Sequence, residues 1–390
     1  MQYSTKVVRR VALLTAALVA VVLPACTPAT VPPAGITSCA WAVKTDPSAL
    51  NVAYPDTAAT YWTTTYNLVA GDTLVLSGTY PDARYMSLIT YTAAGNVVDA
   101  IDDRDIAPAS GSANPFADTA AAPGGHYTVE VRPDVPVGSA DNVLTPGGVL
   151  GSVIYRVYVP DNGGDATGGA GLPSLSVKRT DGSVVPVPTC ANPGTDASLL
   201  DLVNAFGPAT DVPAETPPVF KRPANVGGLY VNPANGYVAA VAAHVPGRVL
   251  VVTGQAPTVP DTGSGVSPAA TAQLRYWSLC SNEYRKPYPV SSCLHDTQVP
   301  VDGSGNYTIA VSTAGDRPGN ATNANGTAWL DWGSTNQNML LLMRHMLPDA
   351  SFTESVFAVA PGSSAEAMGA YRPVVKVCTT ATFEAAGSAC

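Results

Sequence analysis

The pentapeptide Arg84-Tyr85-Met86-Ser87-Leu88 returns as Arg275-Tyr276-Trp277-Ser278-Leu279, and it is one of five segments that recur in the same order. Residues 71–78 answer to 247–254, 124–131 to 303–311, 154–161 to 342–349, and 184–190 to 374–378. The spacing between copies drifts between 176 and 191 residues, and it drifts where Gly, Pro and Ser cluster, as in 257–270. Loop insertions cost little, whereas a one-residue slip turns a strand's core side outward, so strands hold register while loops wander. A repeat this long specifies two domains of one plan rather than a solenoid.

Within each copy the pattern is that of strands. Tyr85, Ser87, Ile89 and Tyr91 fall on one face of their segment and Met86 and Leu88 on the other. Tyr127, Val129 and Val131 point inward, with His126, Thr128, Glu130 and Arg132 toward water. Residues 73–77 read as a strand covered on both faces. Short apolar runs between Gly- and Pro-rich turns predict an all-β chain of two tandem antiparallel β-sandwich domains, jelly-roll-like, with a few short helices. The domains are expected over 38–190 and 229–390. The linker between them, 191–228, should hold a helix over 197–206 begun by Asp196, and Asp349 should cap another over 350–358. Residues 320–332 read as a loop.

The first ten residues carry Lys6, Arg9 and Arg10 and no acid, and Val11 to Leu23 is an apolar run of thirteen. That is too short to span a bilayer and suits a signal peptide over 1–25. It ends in Leu23-Pro24-Ala25-Cys26, which resembles the lipobox of bacterial lipoproteins, although Pro24 departs from the usual small residue. Residues 26–37 then form a Pro- and Thr-rich tether. With Cys26 as the lipidated residue, six cysteines remain, which in an exported protein implies three disulfides. Fifteen pairings are possible; spacing favours Cys280 with Cys293 and Cys378 with Cys390, and Cys39 with Cys190 would then join the start of the first repeat to its end. Loss of the leader takes the formal net charge from −9 to −12. An acidic, lysine-poor surface excludes nucleic acid and leaves membrane attachment to the anchor. The expected location is the outer face of the cytoplasmic membrane or the cell envelope, or otherwise the medium.

Tyr85-x-Ser-Leu-x-x-Tyr-x-x-x-Gly95, an acidic–Arg segment, Tyr127-Thr-Val-x-Val and Tyr155-Arg-Val-Tyr-Val-Pro-Asp161 follow one another in an order that resembles a family of exported, uncharacterised two-domain proteins of high-GC Gram-positive bacteria. More distantly, each half is similar to a bacterial jelly-roll domain of unknown function. The resemblance implies fold and setting, and brings no catalytic residues with it.

Four arginines stand out as candidate ligand-binding residues. Arg84 and Arg275 open one strand in each copy, and Arg156 and Arg344 sit in the middle of another, sharing a face with apolar residues. A guanidinium in such company needs a partner. Asp103 and Asp296 align between the halves and are the expected partners of Arg156 and Arg344, either as an ion pair inside each sandwich or as part of an anion or carboxylate site. Trp329 and Trp332 flank Asp331, an arrangement suited to sugar rings of an envelope glycan. His295 and Asp296 are the one adjacent acid–base pair, and would serve a hydrolase. Asp99, Asp102 and Asp105 offer hard oxygen ligands for calcium, the only cofactor the sequence raises, although no EF-hand pattern is present. Asp261-Thr-Gly-Ser264 follows a proline in a loop and reads as turn chemistry, not as an aspartic protease. The expected function is a non-enzymatic binding or scaffolding role in the envelope. The alternatives are a hydrolase acting through Asp296 and His295, or a purely structural surface protein.

Overall fold

The protein is described by a computed structural model covering residues 35–36 and 39–390, leaving aside 49, 162, 164, 195–196 and 225–228. The expected signal peptide, most of the expected tether, Cys26 and Asp196 lie outside the described residues. The first half contributes β1 (Gly35–Ile36), β2 (Val43–Thr45), β3 (Ala59–Asn67), β4 (Thr73–Thr79), β5 (Ala83–Thr92), β6 (Val97–Asp102), β7 (His126–Val131), β8 (Val143–Leu144), β9 (Leu150–Pro160), β10 (Ser174–Lys178) and β11 (Val184–Val187). Helix α1 (Ala197–Phe206) follows, where the sequence places it. The second half comprises β12 (Asn235–Ala242), β13 (Arg248–Gln255), β14 (Tyr276–Glu283), β15 (Val290–His295), β16 (Asn306–Ser312), β17 (Ala328–Asp331), β18 (Met339–Met346) and β19 (Val374–Thr379), then α2 (Thr380–Ala386).

Each half is a sandwich of two sheets. In the first, the order β1-β3-β9-β5-β6, with β2 beside β3, packs on β11-β10-β4-β7-β8. In the second, β12-β18-β14-β15 packs on β17-β16-β13-β19. The duplication is visible strand by strand: β3, β9, β5 and β6 correspond to β12, β18, β14 and β15. Even the short parallel pairing of β8 with β7 recurs as β17 with β16.

Several local expectations are corrected. Strand β4 alternates, with Leu74 and Leu76 buried and Ser77 exposed, because only one face meets the facing sheet. Val374–Thr379 pairs with β13 as β10 pairs with β4, so its counterpart is β10, not the segment 184–190. Ala328–Asp331 is a strand, not loop. Asp349 accepts from Ser351 N in a local turn, and no helix fills 350–358 beyond one turn at Val356–Ala358. The three disulfides are Cys39–Cys190, Cys280–Cys293 and Cys378–Cys390. No helix among the described residues is long and apolar enough to cross a membrane.

The described residues form one compact unit. The face of β5 turned away from the first core explains why: Tyr85 and Tyr158 join Tyr276 and Met346 of the other half in a shared apolar cluster. Both faces of β5 and β9 are therefore buried, one in the sandwich and one against the second copy.

Candidate functional site

Two polar constellations cross the junction between the halves, and both obey an approximate twofold relation. In the first, Arg84 Nη1 pairs with Asp296 Oδ1 at 3.1 Å, while Arg275 Nη1 pairs with Asp103 Oδ2 at 3.0 Å. Each arginine also donates to the other's carbonyl, at 3.5 and 3.3 Å. Each aspartate accepts a backbone N–H from its own half, Met86 or Trp277. Asp103 and Asp296 thus serve Arg275 and Arg84 of the opposite copy, which corrects the assignment to Arg156 and Arg344. Burial pushes the Asp103 carboxyl up to about 6 despite Arg275, and the neighbouring Asp102 adds to the rise. Burial also raises Asp296, but His295, Arg84 and the Trp277 N–H outweigh it and hold that carboxyl below its ordinary value. The residue just ahead of each aspartate, Asp102 or His295, is the main difference between them.

The second constellation surrounds Arg156 and Arg344. Arg156 lies between Tyr61 and Ser87 on neighbouring strands, and Arg344 lies between Tyr237 and Ser278 in the same way. Each guanidinium stacks on its tyrosine, at 5.5 Å for Tyr61 and 5.3 Å for Tyr237. Each donates through Nη2 to a carbonyl of the other half: Arg344 to Tyr54 O at 3.3 Å, Arg156 to Tyr230 O at 2.7 Å. Tyr54 and Tyr230 both adopt left-handed backbone, φ 55° and 53°, a strained state for a tyrosine that turns its carbonyl toward the arginine.

Here the symmetry breaks. Asp56 and Asn232 stand at equivalent positions two residues past those tyrosines, and each accepts the N–H two residues on, from Ala58 and Ala234. The Asp56 carboxylate receives Arg344 Nη1, the Tyr276 hydroxyl at 2.9 Å and the Ser278 hydroxyl at 2.7 Å. Burial is the largest single influence and works against the Arg344 charge, but Asp56 together with Tyr237, Tyr158 and Tyr61 outweighs it, so the guanidinium sits well above its ordinary pKa. Asn232 brings no charge. Among the described residues no carboxylate pairs with Arg156, its Nη1 has no hydrogen-bond partner, and the side chain is only 3% exposed. The faces of Tyr61 and Tyr91, at 5.5 and 5.4 Å, are its main electrostatic company.

Arg156 borders a cavity of about 430 Å³ between β3–β9 of one half and β12–β18 of the other. Residues of the segments 208–224 and 229–232 also line it. The walls are mostly apolar, with Tyr54, Tyr61, Tyr237, Val241, Leu340 and Leu342 contributing most of the character. Arg344 and Asn232 also reach the lining.

The other candidates lie elsewhere. Trp332 is buried in the second core, and Trp329 is covered by Arg317 at 4.4 Å while its N–H meets Ser312. Asp331 accepts the Gly333 N–H. Trp332 therefore offers no face to a sugar ring, while Trp329, half-buried, borders a second pocket with Arg317, Gln298 and Asn323. His295 Nδ1 is 3.8 Å from Asp296, whose oxygens already serve Arg84 and Trp277, and neither residue borders the cavity. Asp99 accepts from Ala100 and Thr145, Asp102 from Tyr85, and Asp105 sits exposed near Arg104, so the three do not converge on one point. The one His/Cys/Asp/Glu cluster among the described residues with metal-ligand spacing, Asp56 with Cys280 and Cys293, is occupied by a disulfide and an ion pair. His345 is buried and held neutral, its pKa lowered to about 3 by burial.

No family model matches the sequence, and no curated protein matches it. Among solved structures, an uncharacterised protein from Burkholderia cenocepacia is similar over 88% of this chain and 83% of its own, with 14% identity and a TM-score of 0.52. A protein from Vibrio parahaemolyticus is similar over 83% and 90%, with 13% identity and a TM-score of 0.44. Likeness at this identity speaks to the fold alone, which the chain shares with the uncharacterised Burkholderia protein.

Proposed function

We propose that the protein is an exported, lipid-anchored component of the cell envelope that binds a small ligand, without catalysis, in the cavity between its two halves. The carrying observation is Arg156: a fully buried guanidinium without a carboxylate, on the wall of an apolar cavity within the usual ligand-site range of about 300–1,000 Å³. A hydrophobic wall with a few placed polar groups is the ordinary form of a small-molecule site. The basic leader, the Leu-Pro-Ala-Cys26 segment and three disulfides support export and anchoring, in keeping with the resemblance to exported proteins of high-GC Gram-positive bacteria. A hydrolase acting through His295 and Asp296 is disfavoured because Asp296 is taken up by Arg84 and the Trp277 N–H, and the neighbouring pocket is lined by Leu294, Gln298, Arg317 and Trp329 and by neither of the two.

Native mass spectrometry of the protein isolated from its own membranes tests this reading. The expected spectrum shows a chain beginning at Cys26 with added lipid mass, and a second, non-covalent adduct. The adduct should vanish in Ala239→Phe, which fills the cavity from β12. A chain carrying no lipid removes the anchoring, and an adduct unchanged in Ala239→Phe removes the cavity.

A further inference from the structure

Resting on that reading, we infer that the cavity takes a monoanionic amphiphile, a carboxylate on an apolar body, whose head group supplies to Arg156 the charge that Asp56 supplies to Arg344. The duplicated geometry carries this. Tyr237, Arg344, Ser278 and the Tyr54 carbonyl reappear as Tyr61, Arg156, Ser87 and the Tyr230 carbonyl, in the same strand registers. One member of the set differs in charge: Asp56 in one, Asn232 in the other. The first copy of the site is closed by the protein's own carboxylate, which shows what chemistry this donor set accepts. The second brings Arg156 to the cavity wall with an amide in that place, and Asn232 Nδ2, which donates to Tyr85 Oη at 3.2 Å, keeps a second N–H where Asp56 has none.

Charge count selects the head group. One unpaired buried cation is balanced by one negative charge, whereas a phosphate dianion would leave a net buried anion with few donors around it. Arg222, also on the lining, spends Nη1 on the carbonyls of Phe357 and Val359, and Lys221 is paired with Glu215. The apolar walls require a body that gains from leaving water, which acetate or phosphate lacks.

Titration calorimetry of decanoate, 1-decanol, acetate and inorganic phosphate into delipidated full-length protein tests it, with Arg156→Met and Asn232→Asp as variants. Decanoate should bind at least tenfold more tightly than decanol and at least 100-fold more tightly than acetate or phosphate. Asn232→Asp should melt at a higher temperature than wild type and bind decanoate at least tenfold more weakly, because the new carboxylate occupies Arg156. Arg156→Met should bind decanoate and decanol equally. Equal affinity for decanol and decanoate in wild type overturns the head-group assignment and leaves the cavity reading standing. Phosphate binding as tightly as decanoate overturns the amphiphile. Binding of none of the four overturns both. Decanoate binding unchanged in Asn232→Asp, with the variant folded, overturns the correspondence with Asp56.

Discussion

Replacing Asp56 with asparagine is expected to destabilise the protein by about 3–5 kcal/mol, the usual consequence of removing one partner from a buried ion pair. The side chain keeps its size, so no cavity is made and the loss is electrostatic. Arg344 loses its only carboxylate, and the Tyr276 and Ser278 hydroxyls lose a charged acceptor. Equilibrium urea unfolding measures it directly. The reciprocal change, Asn232→Asp, should move the midpoint the other way, since it gives Arg156 what Arg344 already has. A loss below about 1 kcal/mol in Asp56→Asn would place this pair among ordinary surface bridges and remove the energetic basis for treating Arg156 as unsatisfied.

The exchanged arginines give the second large effect. Arg84→Met and Asp296→Leu should each cost about 3–5 kcal/mol, because each leaves an unpaired charge between the halves. The double variant should recover part of that, since no unpaired charge is left behind while the Trp277 N–H still loses its acceptor. The coupling from the double-mutant cycle is then large although the residues are 212 positions apart in sequence. Strictly additive losses would mean that the pair does not tie one copy to the other.

The duplication and the strand faces were legible because the period-two pattern of segments such as 85–91 survives in both copies. The disulfide pairs followed from spacing, and the structure has the same three. The partners of the arginines were not legible for a physical reason. Aligning the copies suggests contacts within a copy, whereas every buried arginine here reaches a group of the other copy. Asp56 is outside the aligned segments because it lies in the irregular entry to β3, ahead of 71–78. A signal was nonetheless present: at the same spacing of 176 that relates residues 71–78 to 247–254, Tyr54, Asp56 and Tyr61 meet Tyr230, Asn232 and Tyr237. The place of Trp332 is hidden by the polar, Gly- and Asn-rich stretch before 328–331, although Ala328 and Leu330 alternate with Trp329 and Asp331 as a strand requires. The indole then belongs to the core at the strand's end.

The most direct test is a crystal structure of the protein grown with 10-bromodecanoic acid. The account predicts an anomalous bromine peak inside the cavity between β3–β9 and β12–β18, and a carboxylate within hydrogen-bond distance of Arg156 Nη1. A carboxylate of the protein itself seated on Arg156, or a bromine site elsewhere with that guanidinium still bare, would contradict it.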